Sequence, residues 1–226
     1  MNPAVFSRPG FLRAGVLALL WAGLLLVALP RGFAQPAGAQ LSPEELIRSA
    51  SQDILDEINA DRSLQTGDIE RLNRLVDQRV MPYVNFRRMT ALAVGRHWRS
   101  ATPDQQKALM AEFRRLLLLT YAGAVRQVTD TQIQIQPSRA KPADDDVIVR
   151  TQVLRPGKEA IQLDYRLEKT PNGWRIYDLN ILGLWLIDNY RSQFAQVVSA
   201  NGIEGLIRNL QEKNKTLAAS VSAKRN

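Results

Sequence analysis

The sequence contains no cysteine and only one histidine, and these two shortages exclude several kinds of chemistry. Without cysteine the chain has no disulfide, no thiol nucleophile and no cysteine ligand for a metal. A Ser-His-Asp or Cys-His arrangement needs a base beside its nucleophile, and His97 in "GRHWRS" is the only imidazole. His97 stands next to Trp98 at a predicted helix end, so a packing role is favoured over catalysis.

Motifs for metals and phosphates are also missing. The remaining carboxylates are dispersed, and the one acidic cluster, residues 144–146, lacks the glycine and the ligand spacing of a calcium loop. No glycine-rich phosphate loop occurs. Asp164 and Asp178 lie in alternating strands and form one conceivable acid/base pair. The favoured alternative is solvation or a salt bridge to an arginine, namely Arg166, Arg175 or Arg191. We therefore predict no enzyme, no metal and no cofactor.

The first 34 residues have the features of a secretory signal peptide. Two arginines precede an uninterrupted apolar run over residues 14–29, and "PRGFAQ" follows with small residues at the −3 and −1 positions. Cleavage before Gln35 is predicted, and a second small-x-small site after Ala39 remains open. An uncleaved anchor is the rival interpretation, but the run is shorter than the roughly 20 residues that span a bilayer. We predict an exported, periplasmic protein.

The charge balance argues against a nucleic-acid partner. The formal net charge of +8 falls to about +5 without the signal peptide, because three arginines leave with it. The remaining positive charge is spread along the chain instead of forming one block. Such a mildly basic surface suits transient contact with anionic lipid headgroups or with acidic proteins.

The order of elements is helices, then strands, then helices. Capping boxes at Ser42–Glu45 and Thr102–Gln105 begin two of the predicted helices. The helical pattern covers 43–58, 68–80, 85–95, 103–125, 184–199 and 202–217, and alternating apolar residues predict strands at 131–136, 146–154, 160–167 and 174–182. We predict one α+β domain over residues 42–217 with a four-stranded antiparallel meander and helices before and after it. Residues 35–41 and 218–226 are predicted to be flexible.

The strands and helices contain more apolar residues than a single buried face of each element would require. They occupy alternate positions of the strands and most of the circumference of the helix from residue 103. This surplus fits either an ordinary packed core or a ligand cavity, and the residue pattern alone favours the core.

Two segments resemble the MlaC/Ttg2D family of periplasmic phospholipid-binding proteins, the toluene-tolerance family. They are "NFRRMTALAVGRHWRSATPDQQKALMAEFRRLLLLTYA" at 85–122 and "NGWRIYDLNILGLWLIDNYRSQFAQVVSANGIEGLIRNLQEK" at 172–213. Two positions depart from the family pattern: Trp185 stands where a small serine is usual, and Asn85 where an aspartate is common. Because Trp185 is expected to reshape the pocket mouth, a lipid carrier of the hopanoid-associated branch remains an alternative.

The resemblance implies a decorated fold of the nuclear transport factor 2 type, in which a curved sheet and helices enclose an apolar pocket. It also implies a carrier that moves a glycerophospholipid between an outer-membrane lipoprotein complex and an inner-membrane ABC transporter with its substrate-binding component. Such transport maintains the lipid asymmetry of the outer membrane. An enzyme on the same fold type is the less favoured alternative.

With that resemblance, the apolar surplus is assigned to a lipid pocket. The sheet side is predicted to comprise Val147, Val149, Ile161, Leu163, Tyr165, Leu179 and Ile181. The helix side is predicted to comprise Met89, Leu92, Phe113, Leu117, Tyr121, Leu184 and Tyr190. Arg96 and Arg191 are predicted to contact the phosphate near the mouth, and for Arg191 an ion pair with Asp178 is the favoured alternative.

Overall fold

The computed structural model describes residues 41–128, 130–138, 140–141 and 143–223. The predicted signal peptide, residues 1–34, lies outside them. The described part of the chain is a single α+β unit with six α-helices and a five-stranded sheet. The helices are α1 (Pro43–Ala60), α2 (Arg62–Gln65), α3 (Ile69–Leu75), α4 (Phe86–Val94), α5 (Pro103–Tyr121) and α6 (Leu186–Ala223).

Both predicted capping boxes are confirmed. The Ser42 hydroxyl accepts a hydrogen bond from the Glu45 amide, and the Glu45 carboxylate accepts one from the Ser42 amide, at 3.2 and 2.8 Å. Thr102 and Gln105 form the same reciprocal pair at the start of α5. Each box satisfies amide groups that have no partner inside the helix, and a proline follows at the first helical position.

Replacing Thr102 by alanine should lower the free energy of unfolding by about 1 kcal/mol, because the Gln105 amide loses its acceptor. Urea unfolding followed by circular dichroism measures the change. The matched control is Thr216→Ala, which removes an exposed hydroxyl from the interior of α6. An equal loss in both variants would show that the Thr102 cap contributes nothing of its own.

The segment after α3 remains helical but changes its hydrogen-bond pattern. α3 continues as a π-helical turn over Val76–Val80 and then as a 3-10 turn over Met81–Tyr83. Pro82 stands in that last turn, where the sequence predicted the helix to end. Asn85 then begins α4: its side-chain oxygen accepts from the Arg88 amide at 3.0 Å. Asparagine thus supplies the N-cap at the position where the family pattern suggests aspartate.

The sheet is an antiparallel meander in the order β1-β2-β3-β4-β5. The strands are β1 (Gln132–Ile135), β2 (Asp146–Arg155), β3 (Lys158–Thr170), β4 (Gly173–Ile181) and β5 (Leu184–Trp185). The prediction of four strands was one too few, since β5 was assigned to the helix that follows. Leu182 and Gly183 form the turn into β5 with φ values of 53° and 90°. Glycine is needed for this backbone conformation and not for space, because a Cβ there would meet nothing within 4 Å.

The last helical stretch contains the predicted break. Gly202 has φ 68° and ψ −175°, which interrupts α6 between the two predicted helices. The helix then continues to Ala223, beyond the predicted end at Leu217.

The buried apolar residues form three clusters. One lies among α4, α5 and α6 and includes Leu109, Phe113, Phe194 and Leu206. A second joins Leu46 and Ile47 of α1 to one face of the sheet. The third lies between α1, α2, α3 and the end of α5. The run Leu116–Leu119 has the multiple contacts that its all-round apolar character predicted, because Leu116 and Leu117 belong to the first cluster and Leu118 to the third.

Candidate functional site

A cavity of about 420 Å³ lies between the sheet and the helices. Alternate residues of three strands form one wall: Val153, Ile161, Leu163, Leu179 and Ile181. The segment from α3 to α4 contributes Leu72, Val76, Val80, Met81, Val84, Phe86 and Met89, and the region of α5 contributes Arg114, Leu117, Leu118, Tyr121, Ala124, Val125 and Val128. Leu186 of α6 completes the lining.

The cavity is almost entirely hydrocarbon. Among the described residues that line it, Arg114 alone carries a charge, and its guanidinium donates to Asp77 at 2.5 Å and to Asn73 at 3.0 Å. Tyr121 supplies a phenol, whose pKa is raised by burial. None of the described lining residues is a histidine, aspartate or glutamate. This lining suits hydrophobic binding, and it offers no acid/base pair.

Seven of the predicted lipid-contact residues lie in this lining: Met89, Leu117, Tyr121, Ile161, Leu163, Leu179 and Ile181. Their contact with lipid remains a prediction. The placement of Leu163 follows from strand periodicity, because Leu163 pairs with Ile181 and lies two residues from Ile161.

Three other predicted residues, Val147, Val149 and Tyr165, lie elsewhere on the sheet. The strand pairing puts them on the same face of the sheet as the cavity wall. Over their half of that face, however, Leu46 and Ile47 of α1 cover the sheet. Tyr165 is also buried, and this burial raises its pKa to about 12. α1 therefore seals one half of the face and leaves the other half to the cavity.

Phe113 and Tyr190, predicted to line the pocket, fill the core among the helices instead. The two rings meet edge to face with centroids 5.0 Å apart, and Phe194 joins Phe113 in the same way at 5.2 Å. Phe113 has no exposed surface. Such T-shaped contacts stabilise a packed aromatic cluster, so these rings are occupied by each other.

Leu92, Arg96 and Arg191 lie in a separate groove of about 760 Å³ on the outside of α4 and α6. Arg191 donates from its Nε to the Leu92 carbonyl at 3.0 Å. Neither arginine lines the cavity, and the Asp178 carboxylate pairs with Arg166 and not with Arg191. The phosphate contact of Arg96 and Arg191 stays a prediction. Leu184, the last of the predicted set, is 67% exposed on β5.

The two candidate acids occupy strand positions that alternate with the cavity wall. Asp178 is completely buried and accepts from the amides of Leu179 and Ile187 at 2.9 and 3.0 Å. Its second oxygen accepts from Arg166 at 2.9 Å, so the predicted salt bridge is present. Burial raises the pKa of Asp178 against these stabilising bonds. Asp178 thus fixes the start of α6, and Asp164 is held by Gln162 at 2.7 Å.

Trp185, the departure from the family pattern, does not stand at the cavity. It pairs with Asn180, whereas Ile181 and Leu179 supply the wall. The guanidinium of Arg166 lies 3.9 Å from the centre of its ring. The expectation that Trp185 reshapes the mouth was therefore wrong, because the strand alternation turns it to the other face, over Arg166.

Replacing Trp185 by alanine should therefore leave lipid loading within twofold of the wild type while lowering the free energy of unfolding by about 1 kcal/mol, the size of a partly exposed cation–π contact. Loading is measured by mass spectrometry of extracted lipid, and stability by urea unfolding. Loss of cargo without loss of stability would contradict this placement.

Several lining residues escaped the sequence interpretation. Leu72, Val76 and Val80 share one face of a predicted helix, and Val153 has the same strand parity as Val147 and Val149. Periodicity could have pointed to both groups. Leu186 and Val128 carried no such signal, because they follow the irregular ends of other elements.

The described residues contain no cluster of three or more His, Cys, Asp or Glu side chains arranged to hold a metal ion. No helix in this part of the chain combines the length and the apolar character needed to cross a membrane.

The family model of the MlaC protein matches residues 48–212. The chain belongs to the MlaC family. The match spans α1 to α6, so it includes every element that lines the cavity.

Known MlaC relatives are similar over most of their length. The intermembrane phospholipid transport system binding protein MlaC of Haemophilus influenzae is 22% identical over 177 residues, which cover 77% of this chain and 83% of that protein. Toluene tolerance protein ttg2D of Pseudomonas putida is 22% identical over 194 residues, 84% of each chain.

A solved structure shares the fold. It is a phospholipid-binding protein from Ralstonia solanacearum, determined in complex with a phospholipid. It is 44% identical to this chain with a TM-score of 0.75, and the match covers 76% of this chain and 97% of that one. The names of the Haemophilus influenzae and Ralstonia solanacearum proteins refer to phospholipid transport and to phospholipid binding, and not to catalysis.

Proposed function

We propose that this protein binds one phospholipid with its acyl chains in the cavity and its headgroup in solvent, and that it catalyses no reaction. The observation that carries the proposal is the lining itself, which is apolar throughout except for Tyr121 and for Arg114, a cation already paired with Asp77. The resemblance to a phospholipid complex from Ralstonia solanacearum supports the choice of cargo.

Hydrocarbon burial accounts for the need for such a cavity. Two acyl chains carry roughly 30 methylenes, and each buried methylene contributes about 0.8 kcal/mol, so full exposure to water would cost on the order of 20 kcal/mol. A carrier between membranes must cover most of that surface. The headgroup is already polar, and it needs few specific partners.

The proposed contact set is the cavity lining. It retains the seven predicted residues that lie there and adds neighbours such as Leu72, Val76 and Val153. Arg96 and Arg191 are not part of this set, because they line a different groove.

We further propose that the protein works in the periplasm after removal of residues 1–34. Its partners would be an outer-membrane lipoprotein complex and an inner-membrane ABC transporter with its substrate-binding component, and the outcome would be maintained outer-membrane lipid asymmetry. The name of the Haemophilus influenzae relative, an intermembrane phospholipid transport system binding protein, supports this role. The likeness to the nuclear transport factor 2 fold remains a prediction.

Mass spectrometry of organic extracts tests the proposed cargo. Protein purified from the periplasm should carry stoichiometric glycerophospholipid, and delipidated protein should take it up again from vesicles. Protein that is lipid-free and cannot be loaded would refute the proposal. A hopanoid in the extract would keep the carrier role and change the cargo.

A further inference from the structure

The turn between β4 and β5 exposes two leucines. Leu182 and Leu184 are each 67% exposed, the largest fractions for big apolar side chains in the described part of the chain. They flank Gly183, so the turn presents a small apolar tip to solvent. Folding gains little from either side chain, because neither is buried.

The backbone of this tip is also unfavourable for leucine. Leu182 has φ 53°, a left-handed conformation that asparagine, aspartate or glycine adopts more readily. A two-residue turn of this kind usually contains those polar or small residues. A strained and exposed leucine points to a role outside the folded core.

The tip continues the cavity wall. Leu184 pairs with Ile181, and the Leu182 amide donates to the Gln162 carbonyl at 3.1 Å, between Ile161 and Leu163. Ile161, Leu163 and Ile181 all line the cavity, and all three are only half-buried. An apolar surface therefore extends from the cavity to the exposed leucines.

Basic groups lie at the same end of the sheet. In an antiparallel meander the β2–β3 and β4–β5 turns fall at the same end, and Arg155 and Lys158 face each other across the β2–β3 turn. Leu154 beside them is 37% exposed. Glu159 is the acid of this turn, and its carbonyl accepts from the Arg155 guanidinium. Leu182 bonds to Gln162, four residues along β3 from Lys158, so the exposed leucines and these basic side chains lie at the same end of the sheet. Such a combination suits an anionic bilayer surface, where the apolar groups enter the headgroup region.

We propose that Leu182 and Leu184 insert into the surface of an anionic phospholipid bilayer, so that the cavity opens onto the membrane during lipid exchange. This inference rests on the proposed function, since it gives the carrier a direct route to lipid in a bilayer. Acyl chains would pass along the apolar surface from the tip to Ile181 without full exposure to water.

Vesicle flotation tests the inference with the double variant Leu182→Asn and Leu184→Thr. Asparagine suits the left-handed turn and threonine suits a strand, so the variant should fold, which circular dichroism checks. The matched control is Leu41→Thr, another exposed leucine that stands before α1. The vesicles contain phosphatidylethanolamine and phosphatidylglycerol in a 3:1 ratio, and the exchange rate of a fluorescent phospholipid is measured in parallel.

The double variant should bind these vesicles about tenfold more weakly than the wild type and exchange lipid correspondingly more slowly, while the control matches the wild type. Equal binding and exchange by the folded double variant would overturn the inference, as would a wild type that does not bind vesicles. Lipid extracted from the wild-type protein tests the proposed function separately. A wild type that carries lipid beside an unaffected double variant would refute the membrane contact alone.

Discussion

Replacement of Leu163 by arginine is expected to reduce phospholipid loading at least tenfold. Leu163 lies in the middle of the sheet wall of the cavity, paired with Ile181. A guanidinium there would have to lose its hydration without an anionic partner when an acyl chain enters, which costs several kcal/mol. Since each 1.4 kcal/mol changes a binding constant tenfold, the loss should be large.

Loading of the Leu163→Arg variant is measured as lipid per protein after incubation of delipidated protein with vesicles. The control is Leu41→Arg, which adds the same charge at a residue that is already 49% exposed. The control should load like the wild type. Normal loading of a folded Leu163→Arg protein would mean that the acyl chains do not contact this wall.

Replacement of Asp178 by alanine is expected to lower the free energy of unfolding by about 2–4 kcal/mol. The buried carboxylate accepts from two backbone amides, one of which belongs to Ile187 in the first turn of α6, and from Arg166. Alanine would leave a buried amide unpaired and would remove the anionic partner of Arg166. Urea unfolding measures the loss, and α6 should become less protected from hydrogen exchange.

Two variants separate the hydrogen bonds of Asp178 from its charge. Asp178→Asn retains an acceptor for the amides and should lose less stability than Asp178→Ala. Asp188→Asn removes an acid that is 59% exposed and 3.8 Å from Arg166, and it should change stability by less than about 0.5 kcal/mol. Equal losses for Asp178→Ala and Asp188→Asn would contradict the structural role of the buried carboxylate.

The pH dependence of Asp178 follows from the direction of its shift. Burial raises the pKa of the Asp178 carboxyl group above its value in the unfolded chain. The carboxylate therefore binds a proton more readily in the folded protein than in the unfolded chain. The proton-linked part of the stability that Asp178 contributes is therefore fully present below the unfolded pKa and is lost as pH rises through the folded pKa, whereas the hydrogen bonds of the carboxylate to Leu179, Ile187 and Arg166 persist. Relative to the wild type, Asp178→Asn should remove this decline.

Sequence periodicity predicted which face of the sheet is apolar but not what covers it. Leu163 and Tyr165 alternate in the same way along β3, yet Leu163 lines the cavity and Tyr165 lies beneath α1. The difference depends on where α1 packs, a contact between segments more than 100 residues apart in the sequence. No local sequence pattern encodes a contact between segments so far apart in the chain.

The errors on the helix side have a related cause. Phe113 and Tyr190 are large and apolar enough to line a pocket, but they contact each other and fill the core. Trp185 is turned away by a two-residue strand, β5, which is too short to show alternation. By contrast, the capping residues and the β2–β3 and β3–β4 turns were predictable, because their hydrogen bonds join residues only a few positions apart.

A phospholipid with a photoreactive diazirine near the end of one acyl chain tests most directly whether the chains occupy this cavity. The lipid is loaded into delipidated protein and irradiated, and the cross-linked peptides are identified by mass spectrometry. Cross-links should concentrate on peptides that contain Leu117 and Tyr121 or Ile161 and Leu163. Cross-links confined to the groove of Arg96 and Arg191 would contradict the assignment of the cavity.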